Sequence, residues 1–103
     1  MSDSFSNISN SNIINRSILQ NSYNKVKEKH GEETVKALEE ITKFIDKSGS
    51  PVATAGFNEF NKELTQPQPD KSKLKKIWEE IEKVLPTIST IATSVTKILP
   101  LFA

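Results

Sequence analysis

The chain has 103 residues, of which 35% are apolar, and it contains no cysteine. Disulfides and thiolate metal sites are therefore excluded. The 14 basic and 13 acidic residues nearly cancel, which argues against a nucleic-acid-binding protein. This length suits one small domain, and the low apolar share predicts that it gains stability from a partner protein, a second copy or a membrane.

Charge divides the chain into zones, because nearly all charged residues lie between positions 25 and 83. We predict an Asn/Ser-rich N-terminal segment at residues 1–22 and a helical domain at residues 23–103. The chain does not open with a basic stretch followed by an apolar run, so we expect no signal peptide. We therefore expect a cytoplasmic protein, and association with a membrane would depend on its C-terminal part.

The N-terminal segment has a five-residue periodicity. The blocks SNISN, SNIIN, RSILQ and NSYNK each carry a large side chain at the third place. They resemble pentapeptide-repeat proteins, in which the central apolar residue points into a β-helix. Four blocks would make one turn, and a single turn leaves its backbone unpaired unless it stacks on other chains. The residues predicted to mediate this self-association are Ile8, Ile13, Ile18 and Tyr23.

Three further interpretations of this segment stay open. Asn-rich segments without proline also suit cross-β stacking. Next to a helical domain with an apolar end, such a segment resembles the layout of prion-type signalling proteins, including bacterial ones, although the fungal type carries the two ends in the opposite order. Alternatively, the segment is a flexible terminus, or it begins the first helix with Ile14, Ile18 and Leu19 on one stripe.

The middle of the chain predicts three amphipathic helices, near residues 24–48, 51–64 and 70–85. In the first helix, apolar residues recur every three or four positions from Val35 to Ile45. Gly31 weakens the run, which leaves open its division into a short and a long helix. Ser50 and Asp70 are the predicted N-caps of the second and third helices. Short connections between these stripes predict an all-α fold, a small antiparallel bundle of three to four helices.

The third helix has the clearest apolar stripe, which we interpret as a core face or a partner-binding face. Its members are Leu74, Ile77, Trp78, Ile81 and Leu85. The start of this helix carries four lysines, although the helix dipole disfavours cations there. They form either a solvated face or a basic collar that meets acidic lipid headgroups or an acidic partner. These lysines are Lys71, Lys73, Lys75 and Lys76.

The C-terminal tail continues the apolar stripe in residues 84–103, where Lys97 is the only charge. We predict a fourth helix near residues 87–99 with Ser and Thr on its other side. It is either the last helix of a soluble bundle or a segment that inserts into a membrane after oligomerisation, which would hide its hydroxyl groups from lipid. The residues of this helix-packing or membrane face are Ile88, Ile91, Val95, Ile98, Leu99 and Phe102.

The sequence carries no recognisable catalytic constellation. His30 is the only histidine, and no cysteine exists to share a metal ion with it. Adjacent acidic residues such as Glu79 and Glu80 point about 100° apart on a helix and therefore do not form an acid–base pair. A glycine-rich phosphate loop and a nucleophile beside a base are also missing. We predict a non-enzyme without cofactor or metal.

These patterns favour an oligomerising interaction or adaptor module in bacterial signalling or defence. Its expected partners are itself and an unidentified protein, but not nucleic acid. The stretches NKVKEKHGEE and IWEEIEKVLPTI resemble recurring features of small uncharacterised bacterial proteins, a resemblance that implies no activity. One alternative is a membrane-active effector that inserts its tail. Another is a small inhibitor of another protein, which would form a 1:1 complex without self-assembly.

Overall fold

Every regular element between residues 13 and 102, the part of the chain that this computed structural model describes, is helical. The all-α prediction is confirmed. The α-helices are α1 (Arg16–His30), α2 (Glu32–Ser48), α3 (Pro51–Leu64), α4 (Lys71–Val84) and α5 (Ala92–Ile98). Two 3-10 helices flank α5, at Pro86–Ile91 and Leu99–Leu101.

Polar side chains cap the starts of three helices. Ser50 and Asp70 cap α3 and α4, at the positions that the sequence predicts. Asn15 caps α1, because its Oδ1 accepts a hydrogen bond from the backbone N–H of Ile18 at 3.1 Å. Each such cap stabilises a helix by about 1 kcal/mol. The starting points of these helices are therefore encoded locally.

Two glycines with positive φ separate the first three helices. Gly31, at φ 93°, lies between α1 and α2, so the run predicted near residues 24–48 is divided into two helices at this glycine, as the sequence left open. Gly49, at φ 68°, ends α2 in the left-handed conformation that glycine adopts most easily. The chain thus turns sharply at both points.

The first helix begins before residue 24, in agreement with one of the interpretations that the sequence left open. α1 starts at Arg16, so residues 16–22 are helical and not part of a separate polar segment. The prediction of a β-type element is therefore wrong for the repeat residues Ile18 and Tyr23, which lie within α1. Ile8 lies outside the described residues. The helix prevails because one of its faces reaches the core, through Leu19, Ser22 and Val26.

Hydrogen bonds between side chains tie α1 to α3. Inside the core, Ser22 Oγ donates to Asn61 Oδ1 at 2.9 Å. At the start of α1, the Asn58 side chain both donates to the Ile13 carbonyl at 3.1 Å and accepts from the Asn15 N–H at 2.8 Å. These bonds set the register of α1 on α3.

The helices enclose one apolar core. α3 packs against both α1 and α4, and α2 packs against both α1 and α5. Phe60 lies at the centre of an aromatic cluster, with ring centroids 6.3 Å from Phe57, 5.9 Å from Trp78 and 6.0 Å from Phe102. The surrounding buried side chains include Ile14, Leu38, Ile41, Ile45, Leu74, Ile81, Ile88 and Ile98.

The tail, residues 86–102, bends away from α4 by 113° and folds back onto α2. Pro86 begins its first 3-10 helix. The single helix predicted near residues 87–99 is therefore a 3-10 helix followed by the short helix α5. In this arrangement Ile88 and Ile98 are buried, so the tail contributes to the core of its own chain.

Candidate functional site

One cleft on the surface joins an apolar floor to a rim of positive charge. It encloses about 250 Å³ and lies where α1, the end of α3, the start of α4 and the last 3-10 helix meet. We call it the basic-rimmed cleft. Its floor consists of Val26, Leu64, Pro69 and Leu101. Its rim consists of Lys25, Lys29, His30 and Lys71.

The floor is an edge of the core that reaches the surface. Val26 of α1, Leu64 of α3 and Leu101 of the last 3-10 helix are all buried, and each exposes only a small part of its side chain to the cleft. Pro69 is half-buried and belongs to the connection between α3 and α4. The floor therefore exists only when these distant segments are packed together.

The rim is cationic because two helix ends meet there. Lys25 and Lys29 lie one turn apart near the end of α1, His30 is its last residue, and Lys71 is the first residue of α4. Within residues 13–102, no acidic side chain lines the cleft. Within a chain of net charge +1, this concentration of like charge creates a local positive potential.

The carboxylates next to the cleft are already engaged. Glu63 forms an ion pair with Lys73 at 3.3 Å and accepts a hydrogen bond from the Asp70 N–H at 2.9 Å. The Asp70 side chain accepts from the Lys73 N–H at 3.2 Å as the cap of α4. On the rim, Lys29 Nζ donates to the Pro67 carbonyl at 3.4 Å, which ties the α3–α4 connection to α1. Among residues 13–102, no rim side chain forms an ion pair, although Glu28 lines a neighbouring cleft together with Lys25.

The helix dipole explains only part of this arrangement. Cations are favourable in the last turn of a helix, so Lys29 and His30 have a structural reason to be there. Lys71 has no such reason, because it occupies the first turn of α4, where the dipole favours an anion. An anion bound between them would interact favourably with the lysines and with the start of α4.

A larger cleft of about 590 Å³ is lined by the end of α3, the α3–α4 connection and the start of α4, but its character is different. Acidic and basic side chains both line it, and two of them, Glu63 and Lys73, form the ion pair with each other. In the described part of the chain, no large apolar side chain lines this cleft. It offers neither an apolar anchor point nor an unbalanced charge, so we regard the basic-rimmed cleft as the candidate site.

No protein-family model, curated protein or solved structure matches this chain. Between residues 13 and 102, no group of three or more His, Asp or Glu side chains is arranged to hold a metal ion. The chemistry that the basic-rimmed cleft offers is non-covalent binding of a ligand that is both apolar and anionic.

The stripe of α4 that the sequence singles out faces inward for the most part. Leu74, Trp78 and Ile81 are buried, whereas Ile77 and Leu85 are half-buried. The Trp78 ring packs against both Phe60 and Phe102, whose rings also contact each other. This face is therefore occupied by the chain itself.

The structure separates the four lysines of the predicted basic collar. All four are exposed, but Lys73 is paired with Glu63 and only Lys71 lines the cleft. Lys25 and Lys29 line the cleft together with Lys71, but neither was predicted to be a site residue. Their spacing of four residues on α1 was visible in the sequence, but their proximity to α4 was not.

The residues predicted to mediate self-association have different environments. Ile13 is 62% exposed, and Ile18 and Tyr23 are half-buried. Tyr23 is tied inward, because its hydroxyl lies 2.8 Å from Thr42 Oγ1, which itself donates to the Leu38 carbonyl. Burial raises the pKa of the Tyr23 phenol. Ile13 is thus the described member most available to another chain.

The tail face is mostly covered. Ile88, Ile98 and Phe102 are buried, Ile91 and Val95 are half-buried, and Leu99 is 41% exposed. No individual helix between residues 13 and 102 is long and apolar enough to cross a bilayer, although α4 and the tail reach the required length and hydropathy when they are taken together as a bent pair.

Proposed function

We propose that this protein is a non-enzymatic helical interaction module, an adaptor that self-associates and binds a second protein at the basic-rimmed cleft. The observation that carries the proposal is the cleft itself, which has an apolar floor, three lysines and one histidine on its rim and, among the described residues, no acidic side chain in its lining. A small apolar depression surrounded by unpaired charge is typical of a site that receives an anchor side chain of a partner. In keeping with the sequence patterns, we place this module in the cytoplasm, in bacterial signalling or defence.

The proposal includes the arrangement of the helices. We infer that α1 to α4 form a small antiparallel bundle against which the tail packs. The tight turns at Gly31 and Gly49 and the contacts of α1 with α2 and α3, and of α3 with α4, support this arrangement. Such a bundle would hold the ends of α1 and α4 together at the cleft.

Site-specific photo-cross-linking in the native host tests the binding of a partner. With p-benzoylphenylalanine in place of Lys25, we expect irradiation to give a discrete adduct with another protein. The matched control carries the same group in place of Lys47, which is exposed at the end of α2, and should give none. Absence of any adduct from the cleft position would refute the proposed function.

Static light scattering tests self-association. We expect the full chain to form an oligomer and a chain that begins at Ile13 to form a smaller one, because the removed residues 1–12 contain the first five-residue block, with Ile8, and the start of the second. The truncation must not go further, since Ile14 and Leu19 are buried in the core. If the full chain is a monomer, the proposed self-association is wrong. If this monomer also forms a 1:1 complex with a partner protein, the small-inhibitor alternative replaces the adaptor.

A membrane-active effector is the second candidate, and the bent pair of α4 and tail is the observation that favours it. In that case, the protein should release dye from vesicles of anionic lipid. Leu99→Asp should abolish the release, because a charge within the bilayer costs about 2.5–3.5 kcal/mol. Thr96→Asp is the exposed control on the hydroxylic side. If the unaltered protein releases no dye, this candidate is excluded.

A further inference from the structure

The shape of the basic-rimmed cleft restricts what it can hold. Its volume of about 250 Å³ is below the roughly 300–1,000 Å³ of pockets that take drug-sized molecules. It has room for one large apolar side chain resting on Val26, Leu64 and Leu101. A partner would fill it with a single anchor residue and not with an extended apolar face.

The charge of the rim restricts the sequence around that anchor. Lys25 and Lys29 stand on the α1 side of the floor and Lys71 on the α4 side, so a chain crossing the cleft passes between cations. Lysine ammonium groups are point charges without the planar fork that selects phosphate or carboxylate in a bidentate manner. Carboxylates on either side of the anchor would satisfy them by proximity alone.

A protein segment fits these features better than a lipid surface. The apolar floor lies in a depression between helices, and the cations surround it. A bilayer surface could touch the rim but could not fill the floor without extracting a lipid chain. A flexible peptide can lower one side chain into the depression and keep its carboxylates at the rim.

We propose that the cleft binds a short acidic segment of the partner protein, with one bulky apolar anchor side chain on the floor and flanking Asp or Glu residues at the lysines. This inference rests on the proposed function and adds the chemistry of the partner. If the inference is right, salt weakens the binding of the partner. An increase in ionic strength from ~0.1 M to ~1 M shortens the Debye length from about 10 Å to about 3 Å and so screens the attraction between the lysines and the carboxylates.

The probe is a fluorescein-labelled peptide of Asp and Glu residues with one central Phe, titrated into the full chain. Two matched peptides separate the contributions: in one the Phe is replaced by Ala, and in the other the acidic residues are replaced by Asn and Gln. Methyl NMR of Val26, Leu64 and Leu101 locates the bound peptide. We expect shifts at these methyl groups and at least ~10-fold weaker binding of each matched peptide.

Charge reversal of the protein provides the second test. Lys25→Glu combined with Lys29→Glu should weaken binding of the acidic peptide at least ~10-fold. The control combines Lys36→Glu with Lys47→Glu, which changes the net charge equally on the exposed face of α2 and should leave binding within about twofold. Equal losses in both variants would show a general charge effect and overturn the inference.

The outcomes distinguish this inference from the proposed function. If the neutral peptide binds the cleft as well as the acidic one, or if vesicles of anionic lipid shift the floor methyl groups and the acidic peptide does not, the inference is wrong. In either case, a partner protein photo-cross-linked at position 25 would still support the proposed function as an interaction module. If the cross-link is missing as well, both proposals fail.

Discussion

Helix α4 and the tail carry the same kind of apolar stripe, yet they fold differently. α4 is one regular helix of 14 residues that Asp70 caps. The tail is broken into a 3-10 helix of 6 residues, the 7-residue helix α5 and a last 3-10 helix of 3 residues, and none of the three has a side-chain cap.

Composition explains the difference. The outer face of α4 is made of Lys and Glu, which are good helix formers, and Glu80 and Lys83 form an ion pair at 3.4 Å. The tail has Pro86 and Pro100 and many β-branched residues, which weaken a helix. Short helices of this kind form because they are packed and not because of propensity. The tail should therefore depend on the body more than the body depends on the tail.

Removal of the side chain that joins the two regions should have the largest effect. Trp78 of α4 is 2% exposed, and its ring centroid lies 6.3 Å from that of Phe102 in the tail. Trp78→Ala should lower the free energy of unfolding by about 3–5 kcal/mol, as is usual for large buried aromatic residues. Urea unfolding followed by far-UV circular dichroism measures this loss.

Trp78→Phe is the matched control. The Trp78 Nε1–H is buried and has no hydrogen-bond partner among residues 13–102. Replacing it by an apolar ring loses no hydrogen bond, so only the smaller ring volume should matter, at roughly 1 kcal/mol. A loss as large as that of Trp78→Ala would mean that the indole N–H is paired after all.

Phe102→Ala should destabilise the tail more than it destabilises α4. Phe102 packs on Phe60 and Trp78 from the tail side. We expect the free energy of unfolding to fall by about 2 kcal/mol, which is below the usual range for Phe→Ala because the short helices of the tail can shift into the space. Native-state hydrogen exchange should show faster opening of the α5 amides with little change in α4. Equal acceleration in both would mean that the tail and the body unfold together.

Loss of the α4 cap should have a smaller effect. Asp70→Ala removes the acceptor for the Lys73 N–H and should lower the free energy of unfolding by about 1 kcal/mol. Thermal unfolding measures it, and Asp70→Asn, which keeps an acceptor oxygen, should restore most of the stability. An unchanged midpoint for Asp70→Ala would show that α4, like the tail, is held by packing alone.

The smallest effect should come from the surface of α4. Lys83→Ala breaks the pair with Glu80, but both side chains are largely exposed, and such pairs contribute about 0–1 kcal/mol. We expect a change below ~0.5 kcal/mol by urea unfolding, with Glu80→Ala as the matched variant. A larger loss would indicate that charge pairs, more than the cap, distinguish α4 from the tail.

The sequence allowed prediction of the features that depend on neighbouring residues. The helical character, the caps Ser50 and Asp70 and the apolar stripe of α4 follow from spacing and capping chemistry. The start of α1 could not be assigned in this way, because the five-residue blocks and a helical stripe both describe the same stretch. Asn61 and Asn58 bond to Ser22 in α1 and to Ile13 just before it, about 40 residues away in sequence. These contacts favour the helix over the β-type element in the residues that the structure describes.

The candidate site was the least predictable feature. Lys71 was visible as part of a lysine cluster, but Lys25 and Lys29 lie on another helix, and Leu101 comes from the far end of the chain. Sequence by itself determined that this chain forms capped, amphipathic helices, since those depend on contacts within a few residues. Only the tertiary structure decided where the tail lies and which lysines share a cleft, because both depend on packing between segments separated by tens of residues.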